Sequence, residues 1–163
     1  NGNGTFTDVS KAAGVTAEKQ TLLTISVTED EILGIGGENV KGFYAAMKYF
    51  QSLDNPNNKK FVDAFKARWG KNSVIGDVTQ AAYLGPWLWK ATVEKAGSFD
   101  IDKVAAASPG IELKIAPEGY VKIHDNHHLW SKLRIGQAQE NGQYKVLYES
   151  ELIEPNPFPK GYQ

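Results

Sequence analysis

Apolar positions along this chain recur first at a helical period and, near its end, at a period of two. Phe6, Val9 and Ala13 share one stripe ahead of Gly14, which predicts a short helix over residues 6–13. Residues 21–27 (TLLTISV) are rich in β-formers and bounded by polar runs, so they predict a buried strand. Thr28 follows at once, with Glu31 three positions on. That is the spacing of a capping box, so a helix is expected from the strand's carboxyl end to about Leu33. Gly34, Gly36 and Gly37 then predict a glycine hinge. Residues 40–50 (VKGFYAAMKYF) suit either element, and their aromatic content and flanking glycines favour a strand. A polar loop holding Pro56 covers residues 51–58. Over residues 57–69, Phe61, Val62, Phe65 and Trp69 lie on one helical face, closed by Gly70 and Asn72. A longer helix is predicted over residues 78–96, with apolar contacts at Val78, Ala81, Ala82, Leu88, Trp89 and Val93. Gly97 supplies its C-cap and Pro86 should kink it. A short helix over residues 100–107 is capped by Asp100.

From Ile111 the rhythm changes. Residues 112–115, 120–123, 133–136 and 144–148 alternate, and Asn141-Gly142 between the last two is a strong hairpin signal. Pro155, Pro157 and Pro159 end regular structure. Strand–helix alternation followed by an antiparallel segment is an α/β pattern. Ligands in such folds sit in loops at strand carboxyl ends, which puts residues 1–4, Thr28 with Glu29, and the loop after Phe50 near a common site.

Composition narrows the partners. The chain has 163 residues, 18 basic and 19 acidic, for a net charge of −1. Neither a basic face nor a polybasic segment results, so nucleic acid and anionic membrane are not expected partners. There is no cysteine, which excludes disulfides, thiol catalysis and thiolate metal sites. No apolar stretch approaches the roughly 20 residues of a membrane span. The opening Asn-Gly-Asn-Gly is turn chemistry with nothing before it, and predicts a start inside a longer protein.

Candidate chemistry is sparse. His124, Asp125, Asn126, His127 and His128 could ligate a metal, but the spacing matches no helical pair, and in a β-region His127 and His128 would point apart. A polar connection between strands is expected there, and no metal. Glu29, Asp30 and Glu31 could do acid–base work, yet carboxylates at a helix start answer the macrodipole. No Gly-x-Ser-x-Gly elbow is present, and residues 34–37 lack phosphate-loop spacing. Trp87 and Trp89 are expected in core or interface packing. No cofactor and no catalysis are expected.

The runs YFQSLDNP from Tyr49, NKKFVDAFK from Asn58, AAYLG from Ala81, WLWK from Trp87 and VEKAG from Val93 resemble the urea and short-chain amide-binding components of ABC importers. So do DNHHL from Asp125, Ile135-Gly136, Asn141-Gly142-Gln143 and the opening Asn1-Gly2. The resemblance runs in order over essentially the whole chain. It implies a partial type I periplasmic-binding-protein-like fold, a two-lobe Rossmann-like sandwich ending in antiparallel strands. Residues 1–36 would belong to lobe two, 37–117 to lobe one, and 118–163 to a crossover and return to lobe two. The resemblance also implies that the chain is the carboxy-terminal half of a larger protein. It would be completed by the missing amino-terminal half or a second copy, and would be periplasmic, either free or lipid-anchored through upstream sequence.

The implied function is binding of urea or a short-chain amide without turnover, for delivery to an ABC permease. Asn1, Gly2, Asn3, Ser26, Thr28 and Glu29 would contact the solute, with Tyr49 and Ser52 closing from the opposite lobe. The alternatives are a cytoplasmic amide-sensing regulator with the same cleft, and an amide hydrolase.

Overall fold

The structure is a computed structural model that describes residues 21–161. Asn1, Gly2, Asn3 and the helix expected over residues 6–13 lie outside the described residues. Two bodies make up the rest. The first is a four-stranded sheet of β1 (Leu23–Thr24), β2 (Tyr44–Met47), β6 (Arg134–Ala138) and β7 (Tyr144–Glu149), in that order. Its helices are α1 (Glu29–Ile35) and the single turn α2 (Gly37–Val40). The second body holds α3 (Pro56–Trp69), α4 (Asp77–Ala96), α5 (Ile101–Ala107) and a three-stranded sheet of β3 (Glu112–Leu113), β4 (Val121–Ile123) and β5 (Leu129–Trp130).

β1 and β2 run parallel, while β2–β6 and β6–β7 are antiparallel. β1 and β2 therefore pair across the 36/37 boundary that the resemblance implies between lobes. The chain leaves the first body after β2, returns at β6, and leaves again after β7. There Ser131 bridges Ile153 and Asn126 donates to the Pro155 carbonyl at 2.9 Å.

In the first body Ile32, Val40, Ala45, Phe50, Ala138 and Tyr144 form the core. The Phe50 and Tyr144 rings stack at 4.7 Å over Gly136, where a Cβ would come within 2.9 Å of the Phe50 ring. In the second, Leu84, Leu113, Ala116 and Val121 form a smaller core with Leu88 and Leu129 against it.

Many local signals hold. Glu31 accepts from the Thr28 backbone N–H at 2.7 Å, closing the predicted capping box. Asp100 caps α5 through the Lys103 N–H at 3.0 Å, and Gly97 ends α4 in the left-handed region at φ 60°. Gly142, at φ 78°, turns β6 into β7 as the Asn-Gly signal predicts. The histidine segment is the polar connection expected: it turns β4 into β5, with the His124 N–H donating to the His128 carbonyl at 2.8 Å.

Other expectations are corrected. Residues 21–27 form only the two-residue β1, and Ile25 is 74% exposed, because among the described residues β1 ends the sheet with β2 as its one partner. The strand expected over 112–115 stops at Leu113, because the chain turns at Lys114 and Ile115 ahead of buried Pro117. On α4 the buried stripe is Asp77, Gln80, Leu84 and Thr92, while Val78 and Trp89 face outward. A helix buries the side its neighbours cover, and at the start of α4 that neighbour is a polar helix end. Trp87 and Trp89 are thus not core residues among those described. Pro86 falls inside α4 as the sequence predicts, and the helix runs on past it to Ala96.

The glycines at 36 and 37 form a packed corner between α1 and α2. Gly36 has φ 92°, and a Cβ on Gly37 would lie 2.3 Å from the Glu140 carbonyl oxygen. Because that neighbour is backbone, Gly37→Ala should cost about 1–3 kcal/mol, the range for overpacking a tight site. Guanidinium unfolding reads it, and a loss below about 0.5 kcal/mol would show that the corner gives way freely.

Candidate functional site

The two bodies meet where two helix starts face each other. The backbone N–H of Asp77, at the head of α4, donates to the Thr28 hydroxyl at 3.3 Å, and the Thr79 hydroxyl donates to Asp30 at 3.2 Å. Gly76 is required here: a Cβ would fall 1.8 Å from an Asp30 carboxylate oxygen. Around this junction the crossing strand threads a buried polar network. The Tyr49 N–H donates to Asp77 at 2.9 Å, and the Tyr49 hydroxyl donates to Asn58 Oδ1 at 2.8 Å. Asn58 in turn donates to the carbonyls of Gln51 and Leu53, both at 2.8 Å. The Gln51 N–H donates to Glu29 Oε1 at 2.9 Å, and its side-chain carbonyl accepts from the Ile75 N–H at 2.8 Å.

One ammonium serves several acceptors at the other side of the crossing. Lys48 donates to Gln80 Oε1 at 3.0 Å and lies 3.5 Å from Glu118 and 3.9 Å from Asp77. Arg134 is buried and ties both crossings together. Its Nε donates to Glu149 at 2.7 Å, its Nη2 to the Glu118 carbonyl at 2.9 Å, and its Nη1 to the Lys48 carbonyl. Burial of charge is costly unless it is paired, and the carboxyl groups show it. Burial pushes Glu29 up to about 8, against the backbone N–H groups that hold it down. It also raises Asp77 and Glu118, against the opposing pull of Lys48. The Tyr144 phenol, which donates to the Val27 carbonyl at 2.8 Å, is pushed up to about 12, and Tyr49 is raised further. Glu29 Oε2, Gln80 Nε2 and Glu118 Oε1 are buried without a hydrogen-bond partner among the described residues.

Beside this network lies an open groove of about 960 Å³. Asn55 and Tyr120 of the second body line one side; Tyr144 and Glu149 of the first line the other, with Ser52 and Arg134 between them. Among the described residues no His/Asp/Glu cluster could hold a metal ion, and no helix is long and apolar enough to cross a membrane.

The structure thus brings Thr28 and Glu29 together with the loop after Phe50, as the strand-end argument anticipates. Their surroundings differ from an open binding surface. Thr28, Glu29 and Tyr49 are buried and bonded within the chain. Ser26 is exposed. Ser52 lines the groove and donates to the Tyr144 carbonyl. Lys48, Asp77, Gln80, Glu118 and Arg134 are additions that the sequence reading does not contain. Arg134 did leave a trace: it shares the inward parity of Gly136 and Ala138 on β6, where a charge must find partners.

The whole chain, residues 1–163, matches the family described as periplasmic binding protein domain. The chain belongs to that family. Its mixed α/β architecture is correspondingly that of type I periplasmic binding proteins. Among solved structures, this periplasmic binding protein domain is similar to an amino acid ABC transporter substrate-binding protein from Pseudomonas fluorescens Pf-5. Identity there is 22% and the TM-score 0.73, over 90% of this chain and 40% of that one. It is also similar to a solute binding protein of an ABC transporter from Rhodopseudomonas palustris HaA2, solved with p-hydroxybenzoic acid. That match has 26% identity and a TM-score of 0.70, over 91% of this chain and 41% of that one. A leucine binding protein from Thermotoga maritima MSB8 matches at 24% identity and a TM-score of 0.62, over 74% and 34% of the respective chains. A curated protein named limonene hydroxylase, from Geobacillus stearothermophilus, is 34% identical over 117 residues, 72% of this chain and 21% of that protein. The periplasmic binding protein domain described here therefore spans about 40% of the length of the first two structures and about 21% of the curated relative.

Proposed function

We propose that this chain is part of the extracytoplasmic solute-binding component of an ABC importer. It holds a small solute between two lobes and hands it on unchanged to a membrane permease. The observation that carries this reading is the family match over the whole chain, set on two bodies joined by repeated crossings at one polar network. Two bodies connected only by short crossings are built for hinge closure around a ligand. In this reading one lobe contains the four-stranded sheet and the other contains α3, α4, α5 and the three-stranded sheet, with the change of lobe near Tyr49–Gln51 and again near Ser131–Arg134.

The finer reading is urea or a short-chain amide, supported by the residue runs that resemble the amide-binding components. A small neutral amide needs nearly every donor and acceptor matched, since an unpaired buried polar group costs about 1–3 kcal/mol. Asn1, Gly2, Asn3, Ser26 and Ser52 are proposed to supply such contacts. Thr28, Glu29 and Tyr49 would act by holding the crossing rather than by touching solute. We read the protein as a binder and not an enzyme, because Glu29 is held by the Gln51 backbone N–H and Asp77 and Glu118 lie beside the Lys48 ammonium.

Calorimetry on the full-length gene product, with urea, acetamide, leucine and 4-hydroxybenzoate, tests both levels. The expected result is saturable one-to-one binding of urea or acetamide, with the solute recovered chemically intact. Saturation by leucine alone, or by 4-hydroxybenzoate alone without a shift at the Trp69 and Trp87 indoles, would remove the amide reading and leave the importer reading standing. Release of ammonia, or conversion of limonene to an oxygenated product, would overturn the binder reading itself.

A further inference from the structure

We infer that the recess between α3 and α4, apart from the groove between the bodies, is a binding site for a flat aromatic carboxylate. It encloses about 420 Å³, within the roughly 300–1,000 Å³ typical of small-molecule sites. Its walls are aromatic. Phe61 stacks on Tyr83 at 4.5 Å, Phe65 lies 6.4 Å from Phe61 and 6.5 Å from Trp69, and Trp87 meets Tyr83 edge-on at 6.2 Å. Trp69 is 64% exposed and Trp87 40%, so the recess shows water two of the largest apolar side chains in the protein. A flat ring system inserted there would cover both and gain stacking contacts of the kind aromatic pairs make.

Charge selects the polar end of the occupant. Lys60 and Arg68 line the recess and no carboxylate does. Among the described residues neither cation forms an ion pair, whereas the adjacent Lys59 is held by Asp63 at 2.7 Å. The Arg68 guanidinium lies 5.1 Å over the Trp69 ring, which fixes its plane while leaving N–H donors for a second partner. A guanidinium so placed matches a carboxylate in two parallel hydrogen bonds. The enclosed volume suits one or two fused rings better than a protein segment.

The probe is 2-naphthoate, titrated by calorimetry into the full-length protein, with neutral 2-naphthamide as comparator and the indole N–H resonances of Trp69 and Trp87 as position markers. Expected are saturable binding, shifts at both indoles, and about tenfold weaker binding of the amide. The double change Lys60→Gln with Arg68→Gln, at solvent-facing positions, should weaken naphthoate by tenfold or more without altering solute binding in the groove. Absence of saturable binding, equal affinity for acid and amide, or an unchanged affinity in the double variant each overturns the site.

Discussion

Arg134→Met is expected to lower the unfolding free energy by about 3–5 kcal/mol, the range for removing one partner of a buried charged network. The side chain serves three acceptors at once, the carbonyls of Lys48 and Glu118 and the Glu149 carboxylate. Methionine keeps the apolar stem and leaves those carbonyls without their donor, in a place that water reaches poorly. Lys48 and Glu118 lie on different bodies, so the loss falls on the joint between them. Arg134→Lys should recover less than half of it, because a lysine presents a point charge where a planar fork is needed. Guanidinium titration is the measurement, urea being a proposed ligand. A loss under about 1 kcal/mol would mean that the crossings are held by something other than this side chain.

The second large effect is a pH dependence carried by Glu29. Its folded-state value, near 8, lies above the ordinary 4.5, so the folded protein keeps a proton that the unfolded chain releases. The associated stability is fully present below pH 4.5 and is lost as the pH rises towards 8. At about 1.4 kcal/mol per pH unit, the swing is on the order of 4–5 kcal/mol. Asp77 and Glu118 move in the same direction and steepen the fall. Glu29→Gln keeps an acceptor for the Gln51 N–H and removes the titration. The variant should show a flatter profile across pH 5–8 and exceed the parent in stability above pH 8. Superimposable profiles for parent and variant would show that another group carries the proton.

Both effects arise at a place where the sequence reading saw only part of the arrangement. The approach of Thr28 and Glu29 to the loop after Phe50 was legible because strand ends and capping boxes mark where a chain turns, whereas Tyr49 and Ser52 entered only through the resemblance. Lys48 and Gln80 were not, because nothing local distinguishes a lysine before a tyrosine, or a glutamine in a helix, from any solvated one. Their importance comes from residues distant in sequence: Gln80 accepts from Lys48, and Glu118 lies beside Lys48. The α4 stripe shows the same limit. Periodicity there favoured Val78, Ala82 and Trp89, yet the helix buries Asp77 and Gln80, because it abuts the polar start of α1.

What the sequence by itself determined was local. The helix stops at Gly70 and Gly97, the Asp100 and Thr28 caps, the Asn-Gly hairpin and the change from helical to alternating rhythm all depend on residues within a turn of one another. These are present, whereas α1 runs past Gly34 and stops at Gly36. Tertiary structure alone decided which strand lies at an edge, which helix face is covered, and which charges share a buried junction. Those outcomes depend on what packs against each surface, and the free energy of burying a side chain belongs to the pair of surfaces in contact, not to either stretch of chain alone.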